Sequence, residues 1–355
     1  MTVPFNLGVL QLSMEPVPET FAMAQACEQA GFDTFWIAEA YPWWRKHSFE
    51  ARSSTAVLAV IAAQTNRIQL GWGIISPYTR HPVQIAMEAR VMQDLAGDRF
   101  LLGLGASKIF MKEIGEGEGE KVGPATVMRE SIEVVKGVLK GEAFQYEGKV
   151  FQASVPPLKQ DAHTPRGIPP IYVAGTGPVL QKISGVVGDG LLTASITTPA
   201  FVRYSRKNME EGARKAGKDP SALVLGSVIV GSIGRDSVKG KEGAREQAAM
   251  YLANKVQNIK GSADVLLECA DLTFEELRPI ADAMERGGRK AAAKAVTDDI
   301  LRKVCAIAGT PEECIQRIEE YRDAGCTHIM LEIWGDDRTG QAKLFGDAVL
   351  PHFRR

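Results

Sequence analysis

The chain has 355 residues, 45% hydrophobic and 24% charged, with a formal net charge of −1, which fits a soluble globular protein and supplies no global field for nucleic acid or anionic lipid. Five cysteines are scattered without a CxxC pair, arguing against a zinc site and for a reducing cytoplasm. The N-terminus carries no signal-peptide pattern, and no apolar run reaches membrane-spanning length.

The first predicted strand is FNLGVLQL, residues 5–12. Phe21, Ala24, Cys27 and Ala30 then recur at helical spacing, and Gly31 stands where a helix C-cap is expected. DTFWIAEA (33–40) is the second strand, and SSTAVLAVIAAQT (53–65) is a helix opened by Ser53 or Ser54. RIQLGWGII (67–75) is the third strand. PVQIAMEARVMQDLAG (82–97) is a helix with Pro82 in its first turn and Gly97 past its end. RFLLGLGAS (99–107), PPIYVAGTG (169–177), GDGLLTA (188–194), ALVLGSVIVGSI (222–233) and THIMLEI (327–333) continue the series.

This order calls for parallel strands, which need long crossovers, and the strands are apolar throughout, as expected when both faces are covered. Eight strands with intervening helices favour a closed (βα)8 TIM barrel of the α/β class over an open sheet. Two stretches break the repeat. GEAFQYEGKVFQ (141–152) predicts a hairpin. Residues 239–303 form a Lys-, Glu- and Ala-rich helical insertion between strands seven and eight, either an external element that helps pack or dimerise the subunit or a lid over the barrel mouth, within one domain spanning 1–355.

Barrel active sites lie at the C-terminal strand ends. The AGTGP loop (174–178) is a candidate anion cradle, since Gly175 and Gly177 leave backbone N–H groups uncovered at a helix start and Thr176 adds a hydroxyl; the alternative is a tight turn that needs glycine. Gly103 and Gly105 suit either close approach to a planar ring or a turn, in a loop continuing through Ser107 and Lys108. Tyr41, Trp43 and Trp44 offer walls for a flat substrate, beside Arg45 and Lys46. His81 fits a helix cap, Arg80 a side-chain anchor, and Glu88 and Arg90 lie far from the mouth without a role. No Ser/His/Asp or Cys/His set and no metal spacing can be assembled, which points to a borrowed organic cofactor.

These blocks resemble the luciferase-like flavin and deazaflavin oxidoreductases, above all the coenzyme F420-dependent branch that holds methylenetetrahydromethanopterin reductase and F420-dependent glucose-6-phosphate dehydrogenase. AGFDTFWIAEAY, SPYTRHP, DLAGDRFLLGLG, GIPPIYVAGTGPVLQKISGVVGDGLL and AGTPEECIQRIEEYRDAGCTHIML carry the likeness across nearly the whole chain. The resemblance implies hydride transfer between F420 and a small-molecule substrate. It also implies a non-prolyl cis peptide at Gly73–Ile74, a phosphate site at Ala174, Gly175, Thr176 and Gly177, Thr193 near the ribityl tail, and Glu39 at the deazaflavin edge. Trp44 matches a family tryptophan. The branch's usual proton donors are replaced, with Ala40, Lys108 and Leu10 at those places, leaving Lys108, Tyr41 and His47 as candidates; the alternative for Lys108 is a solvated lysine that binds the cofactor's acidic tail. The alternatives are an FMN-dependent monooxygenase, a flavin-binding barrel without catalysis, and a nicotinamide-using reductase. Relatives commonly form homodimers through the second and third helices.

Overall fold

The computed structural model describes residues 3–39, 50–106, 122–158, 167–194, 196–257, 262–304 and 306–354. Eight parallel strands close into a ring: β1 (Asn6–Leu12), β2 (Thr34–Ala38), β3 (Gln69–Ile75), β4 (Phe100–Gly105), β7 (Ile171–Ala174), β8 (Gly190–Thr193), β9 (Val224–Ile233) and β11 (His328–Ile333). Closure runs through β8–β9, where Gly190 pairs with Val224 and Thr193 with Ser227, and through β11–β1, where Asn6 pairs with His328. The predicted hairpin is β5 (Phe144–Glu147) with β6 (Gln152–Val155), antiparallel.

The helices start and stop where local chemistry dictates. α1 (Val17–Ala30) ends on Gly31 at φ 89°, and α2 (Ser54–Gln64) is capped by the Ser53 hydroxyl. α3 (Pro82–Ala96) carries Pro82 in its first turn and a cap from the His81 ring, which accepts from the Val83 N–H. α4 (Pro124–Leu139), α5 (Pro178–Val187) and α6 (Pro199–Lys215) each begin with proline.

Strand alternation divides the core in two. Leu7, Val9, Phe35, Ile37, Leu70 and Leu102 face the helices. Leu10, Trp36, Leu101, Tyr172, Leu192, Val228 and Met330 fill the barrel. Gly71 makes room for Trp36, because a Cβ there would sit 2.1 Å from the indole ring. The Trp36 indole donates to Thr34 Oγ1 at 2.9 Å, and His328 Nε2 lies 2.8 Å from the same oxygen. The barrel floor is thus packed with satisfied side chains.

The insertion consists of α7 (Ser237–Gln257), α8 (Ser262–Ala270), α9 (Phe274–Ala293) and α10 (Asp298–Lys303). A short strand absent from the sequence expectation follows, β10 (Ile307–Gly309), which pairs with β9 from Gly231 to Ile233 beyond the point where β8 ends. Three residues are too few to show a period. α11 (Pro311–Asp323) and α12 (Arg338–Ala348) complete the outer layer. Ala248, Leu252, Leu267, Leu277, Ile280 and Leu301 form a separate core, and it includes Val230. Val230 belongs by alternation to the inward-facing set, and it pairs with Glu332 of β11. α7 therefore covers the inward face of the β9 and β11 ends, which is the barrel mouth.

Candidate active site

The mouth is shaped first by β3. Its register with β4 shifts between Trp72 and Ile75, and the Gly73–Ile74 peptide is cis. The result is a change of face: Trp72 and Ile75 pack outward with the helices, while Ile74 packs inward. β4 accepts this bulge only because it is glycine there. A Cβ on Gly103 would lie 2.1 Å from the Trp72 carbonyl oxygen, and one on Gly105 would lie 2.7 Å from Ile74 and 3.2 Å from Ala174 Cβ. Ile74, Gly105 and Ala174 thus form a small apolar bed on adjacent strand ends.

The loop after β7 divides the roles expected of its two glycines. The Gly175 N–H donates to the Leu192 carbonyl at 3.1 Å, and a Cβ would crowd Leu180 at 2.6 Å. Gly175 is a turn glycine, and its N–H is not open to a ligand, contrary to the sequence expectation. Gly177 faces free space, with nothing within 4 Å of a Cβ, and it caps α5. The first-turn N–H groups of α5 have no intrahelical acceptor, as in any helix. Buried Gln181, which the sequence reading missed, ties the loop down by donating to the Thr176 carbonyl at 3.1 Å and to Ser205 at 2.9 Å. Thr193 is buried, with its hydroxyl 3.0 Å from Ser227 Oγ and receiving Thr197 at 3.3 Å, so protein groups already engage it.

Glu39 stands beside the β3 bulge, its N–H donating to the Ile74 carbonyl at 3.2 Å. Its carboxylate accepts two bonds from Arg80, at 2.8 and 3.0 Å, and one from Ser54 at 3.3 Å. Arg80 also reaches Glu88 at 3.2 Å. Two expectations are corrected here. Arg80 is occupied by carboxylates of its own chain instead of waiting for a ligand, and Glu88 is part of the rim network through it. Tyr41, Trp44, Ser107 and Lys108 lie outside the described residues, as do Trp43, Arg45, Lys46 and His47.

The sequence reading also passed over Glu332. It is buried in β11, in the inward-facing set with His328 and Met330. Its oxygens accept from Gln247 Nε2 at 2.8 Å and from the Tyr251 hydroxyl at 2.5 Å, both on α7. Burial is the largest influence on this carboxyl and pushes its pKa up. One acidic letter inside the apolar run HIMLEI was the available signal. Among the described residues no group of His, Cys, Asp or Glu could hold a metal ion, and no helix is long and apolar enough to cross a membrane.

A profile of the luciferase-like monooxygenases matches residues 1–328. The chain belongs to the luciferase-like family. A 5,10-methylenetetrahydromethanopterin reductase from Methanopyrus kandleri is 30% identical, the match covering 98% of this chain and 99% of that one. An F420-dependent glucose-6-phosphate dehydrogenase from Nocardia farcinica is 27% identical over 98% and 99%. The solved coenzyme F420-dependent tetrahydromethanopterin reductase from Methanopyrus kandleri superposes with a TM-score of 0.85 at 28% identity, covering 99% of this luciferase-like chain and 100% of that one.

Proposed function

We propose that the chain is an oxidoreductase that uses coenzyme F420 to exchange hydride with a small organic substrate. The observation that carries this is the apolar bed of Ile74, Gly105 and Ala174 beside the open start of α5 at Gly177. A flat ring needs the first and an anionic tail needs the second. The names of the F420-linked relatives support the same cofactor. Bound there, F420 would supply hydride chemistry at its deazaflavin ring.

The chain's own residues bind and orient. Gly73 and Ile74 back the ring, with Gly105 and Ala174 around it; Ser107, outside the described residues, is assigned to cofactor binding by the family resemblance alone. Glu39, fixed by Arg80, faces the ring edge. Thr176, Gly177 and the first turn of α5 hold the phosphate, Gly175 shapes that turn, and Thr193 lies near the ribityl tail. Tyr41, Trp44 and Lys108, outside the described residues, are assigned to catalysis by the family resemblance alone. The packed floor under Trp36 excludes water from below. We also infer a homodimer formed through α2 and α3, which expose Val60, Met87, Val91 and Leu95.

Fluorescence titration with F420 and with FMN tests the cofactor. F420 is expected to bind and FMN not, and the reverse result would replace the reading with a flavin monooxygenase. Gly177→Glu gives a clean variant, because a Cβ at this position has no protein atom within 4 Å. The added charge at the helix start should weaken F420 binding at least tenfold, about 1.4 kcal/mol, without lowering Tm. Unchanged affinity would remove the phosphate from this loop.

A further inference from the structure

We propose that Glu332 and Tyr251 form the proton-exchanging pair of the barrel mouth, with Glu332 storing the proton and Tyr251 passing it to or from the substrate. The inference rests on the cofactor reading for its chemistry, and on the mouth cluster for its geometry.

Three observations carry it. First, position: Glu332 is inward-facing at the C-terminal end of the last barrel strand, opposite Val230, and α7 lies over both. That is the end of a (βα)8 barrel where chemistry occurs. Continuing the β1–β11 register by one residue sets Leu10 beside Glu332, and Leu10 in turn contacts Gly73, where a Cβ would fall 3.0 Å from it. The carboxyl and the β3 bulge thus share one inner wall.

Second, the partners are amphiprotic. A tyrosine hydroxyl can donate or accept, and a glutamine side chain offers an N–H2 or, turned over, a carbonyl. Glu332 can therefore be satisfied by the same two neighbours as carboxylate or as carboxylic acid. Gln247 Oε1 is buried with no partner, ready for the second arrangement. Glu39 is the contrast on the same rim: its main partner, Arg80, can only donate.

Third, the surrounding charge does not fix Glu332 in one state. Arg289 of α9 and Arg338 of α12 act on it electrostatically, and each has other company. Arg338 pairs with Glu15 at 2.5 Å and lies over the Trp334 ring at 4.3 Å. Arg289 donates to Met250 Sδ at 2.8 Å, lies over the Trp334 ring at 5.6 Å, and is also acted on by the Glu246 carboxylate. The Trp334 indole acts on Glu332 without reaching hydrogen-bond geometry. Burial outweighs these cations, so the acid form is favoured above the ordinary glutamate range. Burial and the neighbouring carboxylate push the Tyr251 hydroxyl up as well, so it remains protonated and able to donate.

A C=O or C=N carbon that receives hydride, with its electron pair from the reduced coenzyme, pushes the π pair onto oxygen or nitrogen. That atom takes the Tyr251 hydroxyl proton. Tyr251 takes the Glu332 proton, and the carboxylate remains, hydrogen-bonded by Tyr251 and Gln247. The reverse sequence serves oxidation of an alcohol or amine.

The test follows the carboxyl itself by 13C NMR of glutamate-labelled protein. In the free protein one glutamate should titrate above the rest, vanish in Glu332→Gln, and move higher still in Tyr251→Phe, which loses a donor to the carboxylate. Saturating F420 should shift it again, which a merely structural glutamate in a closed core would not show. If Glu332 titrates with the ordinary glutamates, or stays unmoved by bound F420, the proposal is overturned. Failure of F420 to bind overturns the cofactor reading separately. The second arm is then run with FMN, and an unmoved titration overturns the proposal there too.

Discussion

Arg80 holds two carboxylates, Glu39 and Glu88, from a site where its own side chain is 16% exposed and that of Glu39 only 10%. Such a pair lies between the surface case, worth less than about 1 kcal/mol, and the buried case, where removing one partner costs about 3–5 kcal/mol. Arg80→Met should destabilise the protein by about 1–3 kcal/mol in urea denaturation. Adding Glu39→Gln should restore part of the loss, and a purely additive double variant would show that the two groups are not coupled. His328 gives a prediction with a sign. Burial in the barrel floor lowers its pKa from 6.5 to about 3. Between those values the unfolded chain takes up a proton that the folded chain refuses, so stability falls as pH drops through 6.5 toward 3. This one ring contributes up to about 1.4 kcal/mol per pH unit. His328→Gln should flatten the stability profile between pH ~6 and ~4, a range inside the window set by those two pKa values. An unchanged slope would mean that the ring is charged or hydrated in the folded state. Neither property was legible in the sequence, because both depend on what packs against the residue. His81 was legible, since a helix cap is decided by its neighbours in the chain.

At the scale of single elements, α3 shows what local pattern delivers and what it leaves open. Pro82 and Gly97 bracket it in the sequence, and the helix runs from Pro82 to Ala96 with Gly97 at φ 60°. Ile85, Ala86, Ala89 and Met92 are buried, while Met87, Val91 and Leu95, spaced four apart, are 65, 53 and 42% exposed. Val60 on α2 adds to this stripe at 42% exposure. An apolar row of this kind on a surface helix marks a docking face. The expected mass in light scattering is that of a dimer, and Met87→Lys with Val91→Asp should give monomers with unchanged circular dichroism. A monomeric wild type, or a dimer that survives both charges, would place the interface elsewhere or nowhere. The β3–β4 pair shows the opposite case. Its bulge depends on Gly103 and Gly105 lying across the sheet from Ile74, a relation between strands that neither run reveals alone.

For the whole molecule, the strand–helix repeat made the closed barrel readable, because each unit announces itself through its own caps and apolar run. The insertion was readable as helices but not in its placement, which is fixed by contacts such as Gln247 and Tyr251 with Glu332, more than eighty residues away. Its core, built around Leu252, Leu267, Leu277 and Ile280, is distinct from the barrel's two apolar layers and meets the barrel through Val230, Ile196 and Ala306. A separate core of this kind should open on its own, the insertion before the barrel. Native-state hydrogen exchange tests this. Amides of α7 and α9 are expected to exchange through openings of lower free energy than those of β1–β4. Leu277→Ala, which removes a fully buried side chain, should cost about 2–5 kcal/mol. That loss should appear in exchange across 237–303 while β1–β4 stay protected. If the barrel strands lose protection to the same degree, the insertion and the barrel are one cooperative unit, and motion over the mouth would require opening the whole fold.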